Sequence, residues 1–468
     1  MARRAVAPLA LVLAFLTALV AGAGAPKASA PPWRATHLSA APAASGGGAR
    51  TALRWCGSGQ PPSLDRQPSV DISSPDQVHA VYVVAADGVD RYSSFAGLIA
   101  TDAAAIDAWW RRQDPTRAPR FDRYPFPGCT TPFADLDVGF LRLPRSGAQY
   151  VGDGGERLLS DLGQLERLST FKLLVYYDGP PVFDPGVCGT AFLPSPGVAR
   201  RGGAFGLAFV WTQSRCASDV GAGRLAAAVA AHELIHVLGA LSEPGAPNEC
   251  PAPDGGHVCD SPNDILFPTA SPDTTLDGQL LDVGRDDYYG HEGGWLDVQD
   301  SPWLARLPQL ALILRAPGRG GTVQIVTPTA ATCSSSCAFL LDPGTRVTAV
   351  ATPAPGSRFL GWEAPCGLEP SCTVVPQADT VLAARFGPAL FRITVSIVGR
   401  GKVVSVPRLL SCTGRCSAPF PAEGTVRLRA TPAPGFRFVG WSGACRGGRS
   451  CAIALDRDRA VKARFARR

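Results

Sequence analysis

The fold of this chain is decided by residues 231–239, which read Ala-His-Glu-Leu-Ile-His-Val-Leu-Gly. They end an alanine-rich run that predicts a helix over residues 220–238. On a helix, the i, i+4 spacing places His232 and His236 on one face, where both imidazoles can bind a single metal ion. Glu233 lies one position away and can reach a water molecule beside that metal. Burying three ionisable groups without a metal or partner would cost free energy, so we predict a Zn2+ site here.

Segments with strand and helix patterns alternate before this helix. Runs of β-branched and aromatic residues predict strands over 77–84, 137–143, 171–177 and 206–212. Helical spacing or alanine-rich composition predicts helices over 94–113 and 156–168. Strands interleaved with helices predict an α/β or α+β domain that carries the zinc site.

The region around the two histidines resembles the metzincin family of zinc peptidases. Gly239 matches the glycine at which the active-site helix of that family ends. Residues 264–268, Asp-Ile-Leu-Phe-Pro, resemble the methionine turn, with Leu266 in place of the methionine. The resemblance implies an α+β metzincin-like catalytic domain over 51–305, with a mixed sheet, the active-site helix and an edge strand near 205–212 for a peptide substrate. It also implies that Glu233 is the general base of a secreted zinc endopeptidase that hydrolyses peptide bonds of extracellular protein.

The third zinc ligand departs from the metzincin pattern. The family places a histidine at the position of Ser242, whose neutral hydroxyl is a poor zinc ligand. We predict that His257 takes this role, from a loop that a disulfide between Cys250 and Cys259 would stiffen. The alternatives are Asp260, Glu249 and His291. The resemblance further suggests that Tyr288 or Tyr289 supports the oxyanion.

The C-terminal third of the chain contains two copies of one pattern. Six positions recur 79 residues later: Cys333, Cys337, Trp362, Cys366, Cys372 and Phe386 correspond to Cys412, Cys416, Trp441, Cys445, Cys451 and Phe465. Alternating apolar residues and frequent Gly and Pro predict two small all-β modules, over 311–386 and 391–466, that disulfides supplement. They resemble bacterial B-repeat-like modules, which implies a spacer or adhesion role. A cell-surface or carbohydrate ligand is possible, although tryptophans that close a small core are the favoured interpretation.

Composition and the N-terminus indicate an exported protein. Residues 1–30 have the basic, apolar and small-residue parts of a signal peptide, and residues 31–50 are rich enough in Ala, Gly, Pro and Ser to predict a disordered leader. Fourteen cysteines fit an oxidising compartment, and we expect no membrane span. The net charge of +6 contains no basic run interleaved with aromatic residues, so nucleic acid is not an expected partner.

Three functions are compatible with these patterns. The favoured one is the active zinc endopeptidase, secreted or associated with the cell surface. Ser242 and the repeats also allow a catalytically inactive adhesion or binding protein of the cell surface. The third is a zinc hydrolase with a non-peptide substrate, because the His-Glu-x-x-His helix does not name its substrate.

Overall fold

The computed structural model describes most of the chain from Trp33 onward, with the backbone alone for residues 33–40. The predicted signal peptide lies outside the described residues, as do residues 41–50 of the predicted leader. No helix in the described part is long and apolar enough to cross a membrane. The described ranges are 33–40, 55–127, 129, 135–153, 155–162, 171–182, 186–194, 206–214, 216, 219–271, 273–316, 320–422, 424–448 and 450–468.

The described N-terminal part combines short and long strands with three helices. The strands are β1 (Trp33–Ala40), β2 (Gln77–Val84), β3 (Arg117–Pro119), β4 (Arg123–Tyr124), β5 (Asp135–Leu136), β6 (Val138–Arg142), β7 (Phe171–Asp178), β8 (Val187–Pro194), β9 (Gly206–Trp211), β10 (Thr269–Ala270) and β11 (Leu304–Arg306). The helices are α1 (Tyr92–Gln113), α2 (Glu156–Leu162) and α3 (Leu225–Leu238), with short 3-10 turns at Gly147–Tyr150, Leu276–Gly278 and Val298–Asp300.

Seven of these strands form one mixed sheet, in the order β10-β1-β8-β9-β7-β2-β6. The strands β6, β2, β7 and β9 are parallel, whereas β8 is antiparallel to β9. Every residue of β2 is buried, since helices or loops cover both faces of the sheet. Along β2, Ala80 and Tyr82 pack with α1 and α3, and Val81 and Val83 pack with α2. The period-2 pattern of the strand therefore places α1 and α3 on one face of the sheet and α2 on the other.

Two expectations about strands are wrong. The leader was expected to be disordered, but Trp33–Ala40 form β1, which is antiparallel to β8 and parallel to β10. A composition poor in apolar residues predicts little burial of side chains. A strand on an existing sheet edge can instead be stabilised by backbone hydrogen bonds. The edge strand was expected near 205–212, but β9 lies between β7 and β8 and offers no open edge.

The C-terminal part consists of two all-β modules with the same topology. The first contains the sheets β15-β12-β19-β17 and β14-β13-β16-β18, and the second contains β23-β20-β27-β25 and β22-β21-β24-β26. The strands are β12 (Leu310–Arg315), β13 (Gly321–Thr327), β14 (Ala331–Cys333), β15 (Ser336–Leu341), β16 (Val347–Pro353), β17 (Ser357–Trp362), β18 (Ser371–Val374), β19 (Thr380–Pro388), β20 (Leu390–Val398), β21 (Gly401–Val406), β22 (Ser411–Cys412), β23 (Arg415–Pro421), β24 (Thr425–Pro432), β25 (Phe436–Gly443), β26 (Cys451–Ala454) and β27 (Arg459–Arg467).

Disulfides and buried tryptophans close both modules. The two pairings of the first module recur in the second, 79 residues later: Cys333–Cys337, Cys366–Cys372, Cys412–Cys416 and Cys445–Cys451. Trp362 and Trp441 belong to the two module cores and are almost fully buried. Their burial supports the structural interpretation of these tryptophans over a carbohydrate platform.

A buried ion cluster joins the first module to the N-terminal part. Arg120 lies between Asp71 and Asp342, with nitrogen-to-oxygen distances of 2.6 Å to each carboxylate. The backbone of Ile72 donates to Leu340, which continues the contact as a short stretch of sheet. Since the arginine is 4% exposed, these charges stabilise each other away from water, and losing one partner would be costly.

A second buried ion cluster is centred on His79 of β2. His79 is fully buried, with Nδ1 2.8 Å from Asp122 and Nε2 2.8 Å from the carbonyl of Leu64. Burial alone would lower the pKa of His79, but the hydrogen bond and charge of Asp122 and the charge of Asp137 raise it to about 9. The imidazole is therefore cationic at neutral pH and belongs to the interior of the fold.

Candidate metal centre

The helix α3 carries the first part of the site. All fourteen of its residues are buried, because the alanines allow its backbone to lie close to the sheet. His232 and His236 face each other one turn apart, with their Nε2 atoms separated by 3.1 Å. The helix ends at Gly239, as predicted, in a left-handed conformation with φ of 117°. A side chain there would meet Leu296 at 2.9 Å, so glycine is required at this turn.

A disulfide-closed loop brings His257 to the same place. Cys250 and Cys259 are bonded, as the sequence suggested, and the backbone of Cys250 donates to the carbonyl of His257. The His257 ring centroid lies 5.2 Å from that of His232 and 5.1 Å from that of His236. Ligand atoms from the three histidines all lie within 4.8 Å of one another. The structure thus brings His257 to two imidazoles of one helix that precede it by 21 and 25 residues in the sequence.

The segment 264–268 connects the helix to this loop. The Nδ1 of His232 lies 2.5 Å from the carbonyl oxygen of Ile265, and the backbone of Val258 donates to Leu266. The buried carboxylate of Asp264 accepts from the Leu266 backbone at 2.7 Å and from the Tyr288 hydroxyl at 2.8 Å. The segment that resembles a methionine turn therefore fixes the orientation of one imidazole and the backbone beside another.

The hydrogen bonds select the tautomers that a metal requires. A carbonyl accepts from Nδ1 of His232 and from Nδ1 of His257, through Ile265 and Asp254 respectively, which leaves the lone pair of each ring on Nε2. Burial lowers the pKa of His232 to about 3 and that of His236 well below its usual range, so both rings are neutral. Neutral imidazoles are the form that binds zinc.

The spacing of the nitrogens also suits a metal. Two nitrogens bound tetrahedrally to zinc at about 2.0–2.1 Å are roughly 3.3 Å apart, close to the 3.1 Å between His232 and His236. The Nδ1 of His236 is buried and has no hydrogen-bond partner among the described residues. Three imidazole nitrogens are a donor set that proteins use to hold zinc in catalytic sites.

The backbone of β8 lies against Glu233. Gly189 is so close that a β-carbon there would lie 2.5 Å from Oε1 of Glu233 and 2.7 Å from Val229. Glu233 itself is fully buried, one residue from His232. Gly189 has no signature in the sequence, because its role depends on which strand packs against the helix.

The other candidate residues lie elsewhere. Asp260 is exposed, and Glu249 accepts from the backbone of Gly256. His291 stacks on Trp295 with ring centroids 4.6 Å apart. None of the three alternatives joins the histidine cluster within the described residues.

Both tyrosines are buried and donate to carboxylates. Tyr288 donates to Asp264 and Tyr289 donates to Asp114, each at 2.8 Å. Their backbone nitrogens both donate to Asp282, so this turn is fixed by internal contacts. These contacts stabilise the turn that carries the two tyrosines and do not support oxyanion binding. That role stays a prediction.

Comparison with known proteins identifies the repeats. The C-terminal part matches the divergent InlB B-repeat domain over residues 317–389 and 411–468, which confirms the resemblance seen in the sequence. No curated protein matches the chain at a significant level. The match and the seven disulfides fit an extracellular or cell-surface protein.

Similar solved structures include two proteins with low identity. The TIE protein of Bacillus anthracis has 9% identity and a TM-score of 0.24, and the similarity covers 34% of each chain. Thus this chain spans about a third of that protein. OgpA from Akkermansia muciniphila has 13% identity and a TM-score of 0.24, over 69% of this chain and 97% of that chain. Its catalytic inactive form in complex with an O-glycopeptide substrate has 12% identity and a TM-score of 0.22, over 70% and 99%. Similarities of this size define neither a fold nor a function.

Proposed function

We propose that this chain is a secreted zinc-dependent endopeptidase that hydrolyses peptide bonds of extracellular protein. One observation carries the proposal: His232, His236 and His257 bring ligand nitrogens within 4.8 Å of one another, beside the buried Glu233. An interior that holds three imidazoles without a metal would lose the solvation of each ring with little compensation. The proposed ligands are therefore these three histidines, and Ser242 contributes none.

The roles of the chain's own groups follow from their positions. When bound, zinc polarises the scissile carbonyl and lowers the pKa of the attacking water. Glu233 accepts the proton of that water as it attacks, and later donates it to the leaving amine. Ile265 and Asp254 keep the protons of His232 and His257 on Nδ1, which leaves Nε2 of each ring for the metal.

The test separates metal binding from catalysis. Zinc content and casein cleavage are measured on the purified chain and on His257→Ala, with His291→Ala as the matched control in a nearby loop. We expect about one zinc per wild-type chain, and loss of both zinc and cleavage in His257→Ala only. Glu233→Gln should keep the zinc and lose cleavage by roughly 100- to 10,000-fold, the usual contribution of a general base.

Other results would favour the alternative functions. Stoichiometric zinc without cleavage of any protein would indicate an inactive binding protein. Turnover of a non-peptide ester or amide that casein does not inhibit would indicate a hydrolase of another class. Wild-type protein that holds no zinc would refute the metal centre itself.

A further inference from the structure

The first described strand of the chain pairs with β8, the strand that lies against Glu233. β1 pairs with β8 from Trp33 opposite Pro194 to Ser39 opposite Val187, and Leu38 lies opposite Gly189. Gly189 is the residue whose backbone lies against Glu233. β1 is therefore the strand next to the one that contacts the proposed general base. Its residues nevertheless precede the proposed catalytic domain in the sequence.

The position of β1 is defined on both sides by elements of the site. β8 contacts the active-site helix α3, and β1 contacts the same helix. On its other side, β1 is parallel to β10, with Ser39 opposite Thr269 and Ala40 opposite Ala270. β10 directly follows the segment 264–268, whose Ile265 carbonyl orients His232. Thus β1 fills a slot one strand wide between the two walls of the site.

An extended peptide that reaches Glu233 would need this same slot. In the described sheet, β9 is paired with β7 on one side and with β8 on the other. The second edge of β8 is therefore the one that faces β1. Neighbouring strands lie about 4.8 Å apart, which leaves room for one chain between β8 and β10. Peptides commonly bind to such an edge through backbone hydrogen bonds. Consequently, β1 and a substrate peptide exclude each other.

We propose that Trp33–Ala40 is an autoinhibitory strand, which occupies the peptide-binding slot and has to leave before a substrate can enter. This inference rests on the proposed peptidase function. The strand is tethered to the domain through residues 41–54, and a short tether gives an effective concentration on the order of millimolar. Even a weakly bound strand would therefore compete with micromolar substrate. Once the tether is cut, the strand would dissociate on dilution.

The experiment converts the tethered strand into a free peptide within a folded protein. Residues 45–48, Ser-Gly-Gly-Gly, are replaced in the full chain by the recognition sequence of a sequence-specific protease. Casein cleavage is measured before and after cutting, with protease-treated wild-type chain as the control. Hydrogen exchange of the β8 amides reports whether the strand has left, independently of activity.

We expect cutting and dilution to raise kcat/KM roughly tenfold or more, because the millimolar tethered competitor is removed. Exchange of the β8 amides should rise at the same time. A synthetic peptide of residues 33–40, Trp-Arg-Ala-Thr-His-Leu-Ser-Ala, should inhibit the cut enzyme, and a scrambled peptide should not.

Two outcomes would overturn the inference and leave the peptidase intact. The first is equal casein cleavage before and after cutting, with unchanged exchange of β8. The second is cleavage of the chain within residues 33–40 by its own active site, since the strand would then be a substrate. Absence of cleavage in both forms, with zinc bound, would refute the proposed function and the inhibitory role with it.

Discussion

The contact between β8 and Glu233 can be tested by adding a single methyl group. In Gly189→Ala the new β-carbon would lie 2.5 Å from Oε1 of Glu233 and 2.7 Å from its Cγ. Ordinary van der Waals contact begins near 3.4 Å, so the carboxylate has to move by the difference, about 0.9 Å. The neighbouring Val229 Cγ1, 2.7 Å away, closes another direction of relief.

The size of this displacement sets the expected effect. Moving a reacting group by about 1 Å can lower the rate by on the order of 100-fold. The same crowding should destabilise the fold by about 1–3 kcal/mol, which a protein of ordinary stability tolerates. The zinc content should stay at one per chain, because carbonyls of other segments hold His232 and His257. The variant should therefore be folded, zinc-loaded and slow.

The assay compares kcat/KM for casein, zinc content and Tm in Gly189→Ala and in Gly294→Ala. A β-carbon on Gly294 would meet nothing within 4 Å, so this control should behave as wild type in all three measurements. Wild-type kcat/KM in a folded Gly189→Ala variant would refute the placement of Glu233 against β8.

The loop disulfide, the interface arginine and the buried histidine each give a further prediction. Replacing Cys250 and Cys259 by serine should lower stability by about 2–3 kcal/mol and weaken zinc binding, measured by urea unfolding and chelator competition; unchanged zinc affinity would argue against the loop's role. Arg120→Ala leaves two buried carboxylates unpaired and should cost about 3–5 kcal/mol. The exposed control Arg112→Ala should cost less than about 1 kcal/mol, and equal losses in the two variants would contradict the interface. Since the folded pKa of His79 near 9 exceeds its usual 6.5, its contribution is complete below pH 6.5 and is lost as pH rises through 9. The difference in unfolding free energy between wild type and His79→Gln should narrow over that range, and a constant difference would show that the histidine does not titrate there.

Local pattern predicted the local structure well. The run at Gln77–Val84 forms β2 over the predicted residues, because β-branched residues buried on both faces leave a signal that loops lack. The spacing of His232 and His236 is a property of one helix and needs no tertiary information. The repeated cysteines are recognisable from their 79-residue offset, whereas their pairing over four and six residues comes from the structure.

Features that depend on spatial neighbours were not accessible from the sequence. The carbonyl of Ile265 belongs to the backbone, so its contact with His232 has no residue signature. The closeness of Gly189 to Glu233 depends on β8 following β9 in the sheet, whereas the sequence suggested β9 as the edge. The strand β1 is held by backbone pairing, and the Ala-, Gly-, Pro- and Ser-rich composition of residues 31–50 as a whole predicts no strand there.

The junction between the two repeat modules would limit the reach of the proposed peptidase. One residue, Ala389, separates β19 from β20. Its nitrogen donates to Gly356 in the first module at 2.8 Å, and its carbonyl accepts from Ala422 in the second at 2.6 Å. Arg120 contacts the other end of the first module, so the described residues between the candidate site and the last strand, β27, include no long flexible linker. If the proposed peptidase were anchored through its second module, cleavage would be confined to substrates close to that anchor.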